Sequence, residues 1–439
     1  MAISKKPVKP SETLIQKTTH LMHDGMDAHA FGDFEMPPAL GDARWTDELI
    51  LSTWYMSATG KLPDDMNYKT GDSDGGFDKL EFKFLEENQW LEHEEIDTSL
   101  SLNRRGDERA KLSPPIPIYG GGMSYGSVSV NVMLARAQNA KKWETYMSTG
   151  EGGYPEELYE LKDHVITQVA TGYFGVEERS IQVAPIVEFK YAQGAKPGLG
   201  GHLLASKAGE EVAKMRGSVP FVSLFSPFPF HSTYSVEDHS KHIDWIQTIN
   251  PDALISVKVS TPHDVDMVAV GSHYAGAHII HLDGGFGGTG AAPEIAKKNI
   301  AMPIELAIPK VHKFLIKEGI REKVTLIASG GIRTPDDIAK AIALGADGTV
   351  LGTSDLVAMG CTRCSNCEGG PSGRGCPWGL TTTDIELQEW IQLEWAVKRL
   401  DNYYTAVQWR LREILRKLGL NHVKELVGRT DLLKYIGSE

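Results

Sequence analysis

A (β/α)8 TIM barrel with an N-terminal extension and a helical C-terminal tail is the α/β fold that this sequence predicts. Three observations lead there. From about residue 114 onward, short apolar runs alternate with helical stretches. Most of these runs end in a polar or glycine-rich turn, as buried parallel strands with ligand loops at their carboxyl ends do. Roughly eight such units follow one another, the number that closes a barrel with its active site on that face. A doubly wound sheet is the alternative built from the same alternation.

Residues 1–110 form the extension, acidic and polar, with Gly71-Asp72-Ser73-Asp74-Gly75-Gly76 and isolated tryptophans at 45, 54 and 90. Short helices and loops packed on a larger body account for it, with the tryptophans in the core; a subunit interface is the other use of such aromatics. The barrel is expected over 111–384. Its strand candidates are Ile116–Tyr119, Val165–Ala170, Ile186–Ala192, Phe221–Phe225, Leu254–Val259, His278–Asp283, Val324–Ser329 and Gly348–Gly352. After Pro377 apolar residues recur at three- and four-residue steps over Asp384–Leu418, and Gly419 supplies a stop, so 385–439 read as a helical segment.

Composition narrows the function classes. With 439 residues and 41% hydrophobic content the chain can bury one large core, and its formal charge of −13 argues against a nucleic-acid partner, which would call for clustered Lys and Arg. No apolar run approaches the ~20 residues of a membrane-spanning helix. The start, Met1-Ala2-Ile3-Ser4-Lys5-Lys6, lacks the apolar region of a secretory signal, so a cytoplasmic protein is expected.

All four cysteines fall in one loop, Cys361, Cys364, Cys367 and Cys376. The spacing C-x2-C-x2-C-x8-C-P, a close triplet followed by Cys-Pro, favours thiolate ligation of an iron–sulfur cluster. Zinc is the rival, although its four-thiolate sites come as two separated C-x2-C pairs.

Two consecutive strand-end loops, Ser329-Gly330-Gly331 and Gly352-Thr353, offer backbone N–H groups to a dianion, as phosphate sites after the last two barrel strands do. The phosphate belongs to a substrate or to FMN. Gly285-Phe286-Gly287-Gly288-Thr289-Gly290 matches G-x-G-x-x-G, but Pro293 follows and no acidic residue stands about 20 positions on, so these glycines read as backbone that approaches a flat cofactor. Lys258 lies inside the apolar run Ile255–Val259 and must meet an anion or cofactor at the strand end. Gln193–His202 and Ser148–Gly153 are short glycine-rich loops carrying polar groups.

Together these segments resemble the synthase domain of glutamate synthases. The resemblance covers roughly residues 110–430 and takes in Gly122–Ser127, Ser148–Gly153, Gln193–Gly201, Ile255–Val259, the glycine loop 284–290, Leu356–Cys361, Leu411–Leu415 and Val427–Leu433. It implies FMN in a (β/α)8 barrel, an iron–sulfur cluster beside it, and 2-oxoglutarate over the flavin. It further implies that Met123, Ser124, Gln193, Lys258, Gly287, Gly288, Ser329, Gly330, Gly331, Gly352 and Thr353 hold the flavin. Glu151, Lys196 and Arg216 match positions that meet 2-oxoglutarate. His202 stands where the family has Gln, and a flat ring there would suit an N-methyl imine. Cys361, Cys367 and Cys376 match the ligands of a [3Fe-4S] cluster; Cys364 is additional and leaves [4Fe-4S] open.

With Ala at residue 2, the family's N-terminal glutaminase cysteine is not expected here, nor is a nicotinamide-binding fold. A separate flavin subunit of this size is similar to that of N-methylglutamate synthases, which implies amidotransferase-like and glycine-repeat glutamate synthase-like partner subunits. The implied reaction is reduction of the imine formed from 2-oxoglutarate and methylamine or ammonia, with glutamate able to serve as reductant. A hydroxy-acid oxidase or nucleotide dehydrogenase barrel would share the late glycine loops but needs a His–Arg motif or a catalytic Cys that the sequence lacks. A non-catalytic electron relay would not need a dicarboxylate pocket.

Overall fold

A computed structural model describes residues 41–63, 76–93, 96–197, 200–201, 203–227, 230–288, 294–367 and 375–437. Eight parallel strands close into a barrel: β2 (Ile118–Gly120), β3 (Met147–Ser148), β4 (Val165–Ala170), β5 (Ile186–Lys190), β6 (Leu254–Ser260), β7 (Ile279–Asp283), β8 (Thr325–Ser329) and β9 (Gly348–Leu351). The ring is completed by β9 against β2, with Ile118 opposite Thr349. A separate antiparallel pair, β1 (Leu80–Phe82) with β10 (Leu433–Tyr435), ties the extension to the C-terminal end.

Six of the eight expected strands form about where the apolar runs lie, and the first is displaced. Pro115 and Pro117 have no N–H to give to a ladder, so pairing starts at Ile118, with the Pro117 carbonyl accepting from Thr349 N at 2.9 Å. The expectation for Phe221–Phe225 is wrong. Phe221, Val222 and Phe225 are exposed, Phe221 has φ +60°, and Leu224 makes only an isolated antiparallel bridge to Leu203. This segment lies in the long excursion between β5 and β6. The missing barrel strand is Met147–Ser148, two residues long and too short to show a pattern of its own.

The helices between and around the strands are α1 (Asp47–Thr59), α2 (Val130–Lys142), α3 (Glu178–Val183), α4 (Glu210–Arg216), α5 (Val236–Ile249), α6 (Val265–Ala275), α7 (Glu294–Asn299), α8 (Ile304–Lys317), α9 (Pro335–Leu344), α10 (Thr353–Ala358), α11 (Ile385–Gln388) and α12 (Leu393–Leu418). The expected continuous C-terminal helix is broken between α11 and α12, where the Asn131 amide donates to the carbonyls of Gln388 (3.3 Å) and Ile391 (2.9 Å). Gly419 ends α12 in the left-handed conformation at φ 72°, as its position in the sequence anticipates. The apolar face of α12 packs on α1, α2 and α9, and Trp45 and Trp54 are buried core residues, whereas Trp90 lies under the Arg416 and Lys417 cations.

One end of the barrel is plugged. Leu100 and Leu102, held by bonds from their N–H groups to Pro114 O and Leu112 O (2.9 Å each), pack with Ile166, Ile186, Leu254, Ile279, Ile327 and Val350. That plug closes the amino-terminal ends of the strands and leaves the carboxyl ends for chemistry. No helix among the described residues is long and apolar enough to cross a membrane.

Candidate active site

Side chains at every second strand position point into the barrel. Going up β5 these are Ile186, Glu188 and Lys190; up β6, Leu254, Ser256 and Lys258; up β7, Ile279, His281 and Asp283; up β8, Ile327 and Ser329. The interior therefore changes from apolar at the plug to ionisable at the open end within about 7 Å of strand rise per two steps.

A continuous hydrogen-bonded network fills the middle layer. Glu188 accepts from the Gln168 amide (2.7 Å) and the Ser256 hydroxyl (3.1 Å), and contacts His281 Nδ1 at 2.9 Å. His281 Nε2 reaches Ser329 Oγ at 2.8 Å, and that hydroxyl donates to Asp283 Oδ1 at 2.6 Å. Burial pushes the Glu188 carboxyl up, but His281, Lys258 and the Gln168 amide outweigh it and hold the group at about 2. Lys258 is 3.3 Å from Asp283 Oδ2, which also accepts from Gly194 N at 3.0 Å. Burial lowers the proton affinity of Lys258, but Asp283 and then Glu188 outweigh burial and raise that affinity above the ordinary lysine value. The anion that the sequence demanded for Lys258 is thus Asp283.

Above this layer, Glu151, Lys190, Gln193, Lys196 and Gly200 line a cleft with Thr171, Tyr191, Ala192 and Pro227. Glu151 Oε1 is 3.4 Å from Lys190 Nζ, and both side chains are buried. Burial favours the neutral acid, yet Lys190, Lys196 and Arg216 together hold the Glu151 carboxyl below its usual range. Lys190 is pushed down by burial, which Glu151 only partly offsets. Arg216, at the end of α4, is 4% exposed. Its Nη2 donates to Ser124 Oγ (3.1 Å) and Tyr125 O (3.4 Å), while Nε and Nη1 are buried with no acceptor among the described residues. A side chain at Gly152 would occupy the space of that guanidinium, so the glycine lets Arg216 lie against the Glu151 loop. Gly150 and Gly122 similarly bring the loops 148–153 and 122–127 together, with Met123 packed on the core.

The glycine loops meet on the neighbouring arc. Gly284 N donates to Ser329 O at 2.8 Å, a Cβ on Gly288 would strike Thr353 Oγ1, and Gly287 lies against Ala195. Gly330 and Gly331 have φ of +96° and +77°, a conformation open to glycine. Beside Gly352 a Cβ would meet nothing within 4 Å. Ser329, Gly330, Gly331, Gly352, Thr353, Gly287 and Gly288 thus share one rim of the barrel with Lys258.

Cys361, Cys364 and Cys367 sit on the loop after α10, and Cys376 is buried across it. Burial raises the Cys361 and Cys367 thiols; for Cys361 the neighbouring Cys367 and Cys376 add to the rise, and for Cys367 Cys376 and Cys364 do, so the sulfurs feel one another. Arg363 and Ser365, on either side of Cys364, have φ of +58° and +62°, rare for residues with a side chain. Among the described residues no group of three His, Cys, Asp or Glu is set to hold a single metal ion. His202 and residues 368–374 lie outside the described residues.

Several site residues escaped the sequence reading. Glu188 and Lys190 sit two apart in an apolar strand, as do His281 and Asp283, the same signal that singled out Lys258. Arg44 reaches the glycine rim from the extension, and nothing in the sequence around it announces that.

Comparison with known proteins agrees with this geometry. The chain matches the family described as a conserved region in glutamate synthase over residues 75–421. It is 39% identical over 363 residues to the archaeal glutamate synthase [NADPH] of Archaeoglobus fulgidus, covering 82% of this chain and 68% of that one. To the archaeal-type glutamate synthase [NADPH] of Dehalococcoides mccartyi it is 41% identical over 358 residues, 78% and 71% of the two chains. Among solved structures, the recombinant flavin-binding domain of baker's yeast flavocytochrome b2 aligns over 96% of this chain and 90% of its own, with TM-score 0.51 and 14% identity, a likeness of fold alone. The chain belongs to the glutamate synthase family.

Proposed function

We propose that this member of the glutamate synthase family is an FMN- and iron–sulfur-containing synthase that forms glutamate or N-methylglutamate by reducing the imine of 2-oxoglutarate. The observation that carries the reading is the buried cleft in which Glu151, Lys190, Lys196 and Arg216 converge beside the glycine rim. Arg216 keeps its buried Nε and Nη1 N–H groups without acceptors among the described residues, charged donors that the oxygens of an anionic ligand can fill. Counting Lys258, Glu188 and Asp283 as well, four cations face three carboxylates, an excess that suits an anionic ligand.

Cofactor fit rests on the same structure. Gly330, Gly331, Gly352 and Thr353 would receive a phosphate, with open space beside Gly352. Met123, Ser124, Gln193, Gly287, Gly288 and Ser329 would border the ring system, and Lys258 would place a cation against it. A bound FMN supplies the hydride that reduces the imine carbon. Arg216 and Lys196 hold the dicarboxylate. Glu151 and Lys190, a coupled acid and base in a cleft screened from bulk water, move protons as 2-oxoglutarate loses its carbonyl oxygen as water and gains the amine. The four-thiol donor set of Cys361, Cys364, Cys367 and Cys376 suits an iron–sulfur cluster, which would carry electrons to the flavin from a partner. His202, in place of the family's Gln, favours methylamine over ammonia as the amine; a ring packs a methyl group and can exchange a proton near neutral pH.

The test is direct. The purified chain should carry FMN, iron and sulfide, and its reduced flavin should reoxidise anaerobically on addition of 2-oxoglutarate with an amine. Glutamate from ammonia or N-methylglutamate from methylamine, separated by mass, identifies the product. Reoxidation that ignores 2-oxoglutarate would sink the synthase reading, and zinc without sulfide would sink the cluster.

A further inference from the structure

Arg44 precedes α1, in the N-terminal extension. Its guanidinium carbon lies 3.8 Å from the centroid of the Phe286 ring, in the glycine loop after β7. A Cβ placed on Gly331 would come 2.9 Å from Arg44 Nη2, so the guanidinium occupies the space that a side chain in the β8 loop would fill. Nε and Nη1 are both buried and find no acceptor among the described residues. Phe286 itself has φ +67°, rare for a bulky residue, and in that conformation its ring is stacked on the cation.

The backbone at this point is firmly anchored. Asp42 Oδ1 accepts from Arg44 N and Trp45 N at 2.9 Å each, and Arg333 Nη1 donates to Arg44 O at 2.9 Å. Asp42 Oδ2 accepts from Arg363 Nη2 at 2.7 Å, and Gly41 N donates to Thr362 O at 2.9 Å, both in the cysteine loop. The nearby carboxylates are largely engaged: Arg333 takes Asp78 (2.7 Å) and Asp337 (3.0 Å), and Gly76 N takes Glu305 Oε1 (2.8 Å). A half-buried cation fixed in place and stacked, with its buried Nε and Nη1 lacking an acceptor among the described residues, invites an anion from outside the chain.

We propose that Arg44 is a phosphate-binding residue, supplying charged guanidinium N–H donors to the terminal phosphate of the flavin nucleotide at the Gly330–Gly331 and Gly352–Thr353 rim. This rests on the flavin reading above. The extension thereby helps complete the cofactor site. The competing role is structural: Glu305 Oε2 is also buried without a donor, and a rotated Arg44 would pair with it.

Binding of FMN and of riboflavin to the deflavinated full chain, followed by quenching of flavin fluorescence, separates these roles. Riboflavin has the ring but no phosphate. Arg44→Met keeps an unbranched stem but removes the cation, and should weaken FMN by about 10- to 100-fold while leaving riboflavin within about twofold; Arg44→Lys should fall between. Glu305→Gln should leave FMN affinity unchanged. Equal losses for both flavins in Arg44→Met, or no loss for either, overturns the phosphate role, as does an FMN loss in Glu305→Gln matching that of Arg44→Met. A wild-type chain that binds neither flavin instead overturns the flavin reading itself.

Discussion

Glu151→Gln keeps the shape of its side chain and removes one charge from a buried cluster. Glu151 and Lys190 are 3.4 Å apart and both buried. At the effective dielectric of about 20 that suits such sites, their attraction is about 5 kcal/mol. Lys190 left alone can lose its proton, which at pH 7 costs at most about 5 kcal/mol, so the penalty is bounded on that side too. Breaking the pair from the acid side should therefore destabilise the chain by about 3–5 kcal/mol. The basic side is not symmetric. Lys190→Met leaves Glu151 facing Lys196 and Arg216, which also lower its proton affinity, and the loss should be about 1–2 kcal/mol. The double variant should fall short of additivity by about 2 kcal/mol.

Urea denaturation of the four proteins, followed by circular dichroism at a shared slope, measures all of this. The sign of the pH dependence is fixed as well. Burial depresses Lys190, and without Glu151 it falls further, so the unfolded chain binds more protons over the interval up to the ordinary lysine value. Stability of Glu151→Gln must then rise with pH there, and its deficit should be smaller at pH 9 than at pH 7. Additive single losses, a Lys190→Met cost above that of Glu151→Gln, or a deficit that grows with pH would each refute the reasoning.

Three further outcomes are expected. His278 Nδ1 accepts from Ile255 N at 3.1 Å and Nε2 faces Asp107 Oδ2 at 2.8 Å, and burial lowers the ring to about 4, so stability present above pH 6.5 should be lost as pH falls toward 4. His273 and His239 are likewise pushed down to about 4, and burial also lowers His242 and His312, so His278→Gln should flatten that slope by at most about one third, and an unchanged slope would remove His278 as a cause. Cys364→Ser should spare a three-iron cluster and disturb a four-iron one, which electron paramagnetic resonance of the oxidised and reduced chain distinguishes. Phe221 is 64% exposed and has φ +60°, so Phe221→Gly should raise stability by about 0.5–1 kcal/mol in thermal melts; a loss would mean that the ring is anchoring its loop.

The barrel was legible because parallel strands buried on both faces read as apolar runs, and Ile118, Leu254 or Leu326 need nothing beyond local sequence to be placed. Met147–Ser148 was not legible, because two residues make no run, and Phe221–Phe225 misled because exposed aromatics in a loop imitate a strand in composition. The same division runs through the site. Lys258, Glu151, Lys196 and Arg216 stand out as charges among apolar or glycine-rich neighbours, and the structure gathers them at one end of the barrel. Glu188 and His281 carry the identical signal, weakened only because their strands also hold a second charged or turn-forming residue. Arg44 is different in kind. Its place beside Gly331 depends on Asp42 meeting Arg363 and on Arg333 reaching its carbonyl, contacts spanning some three hundred positions that no local pattern contains.

Those long-range ties explain why the extension cannot be read as an appendage to the chemistry. Gly41 and Asp42 hold the cysteine loop between Cys361 and Cys364, Arg44 reaches the glycine rim, and Trp54 Nε1 donates to Val357 O (2.8 Å) at the helix that leads from that rim to the first cysteine. A short stretch of the extension thus touches both loops to which cofactors are assigned. Displacing it would expose the Arg363 and Arg44 cations together and release the cysteine loop and the β8 loop in one event. The coupling has a physical basis in a partly exposed ion pair, Arg363 Nη2 with Asp42 Oδ2 at 2.7 Å, and the amides of Trp45 and Arg44 also favour the ionised Asp42. A segment whose sequence shows only polarity and scattered tryptophans therefore contacts both loops, adding to the ties they make elsewhere, Trp378 Nε1 to Thr362 Oγ1 (2.9 Å) in the cysteine loop and Gly284 N to Ser329 O (2.8 Å) at the rim.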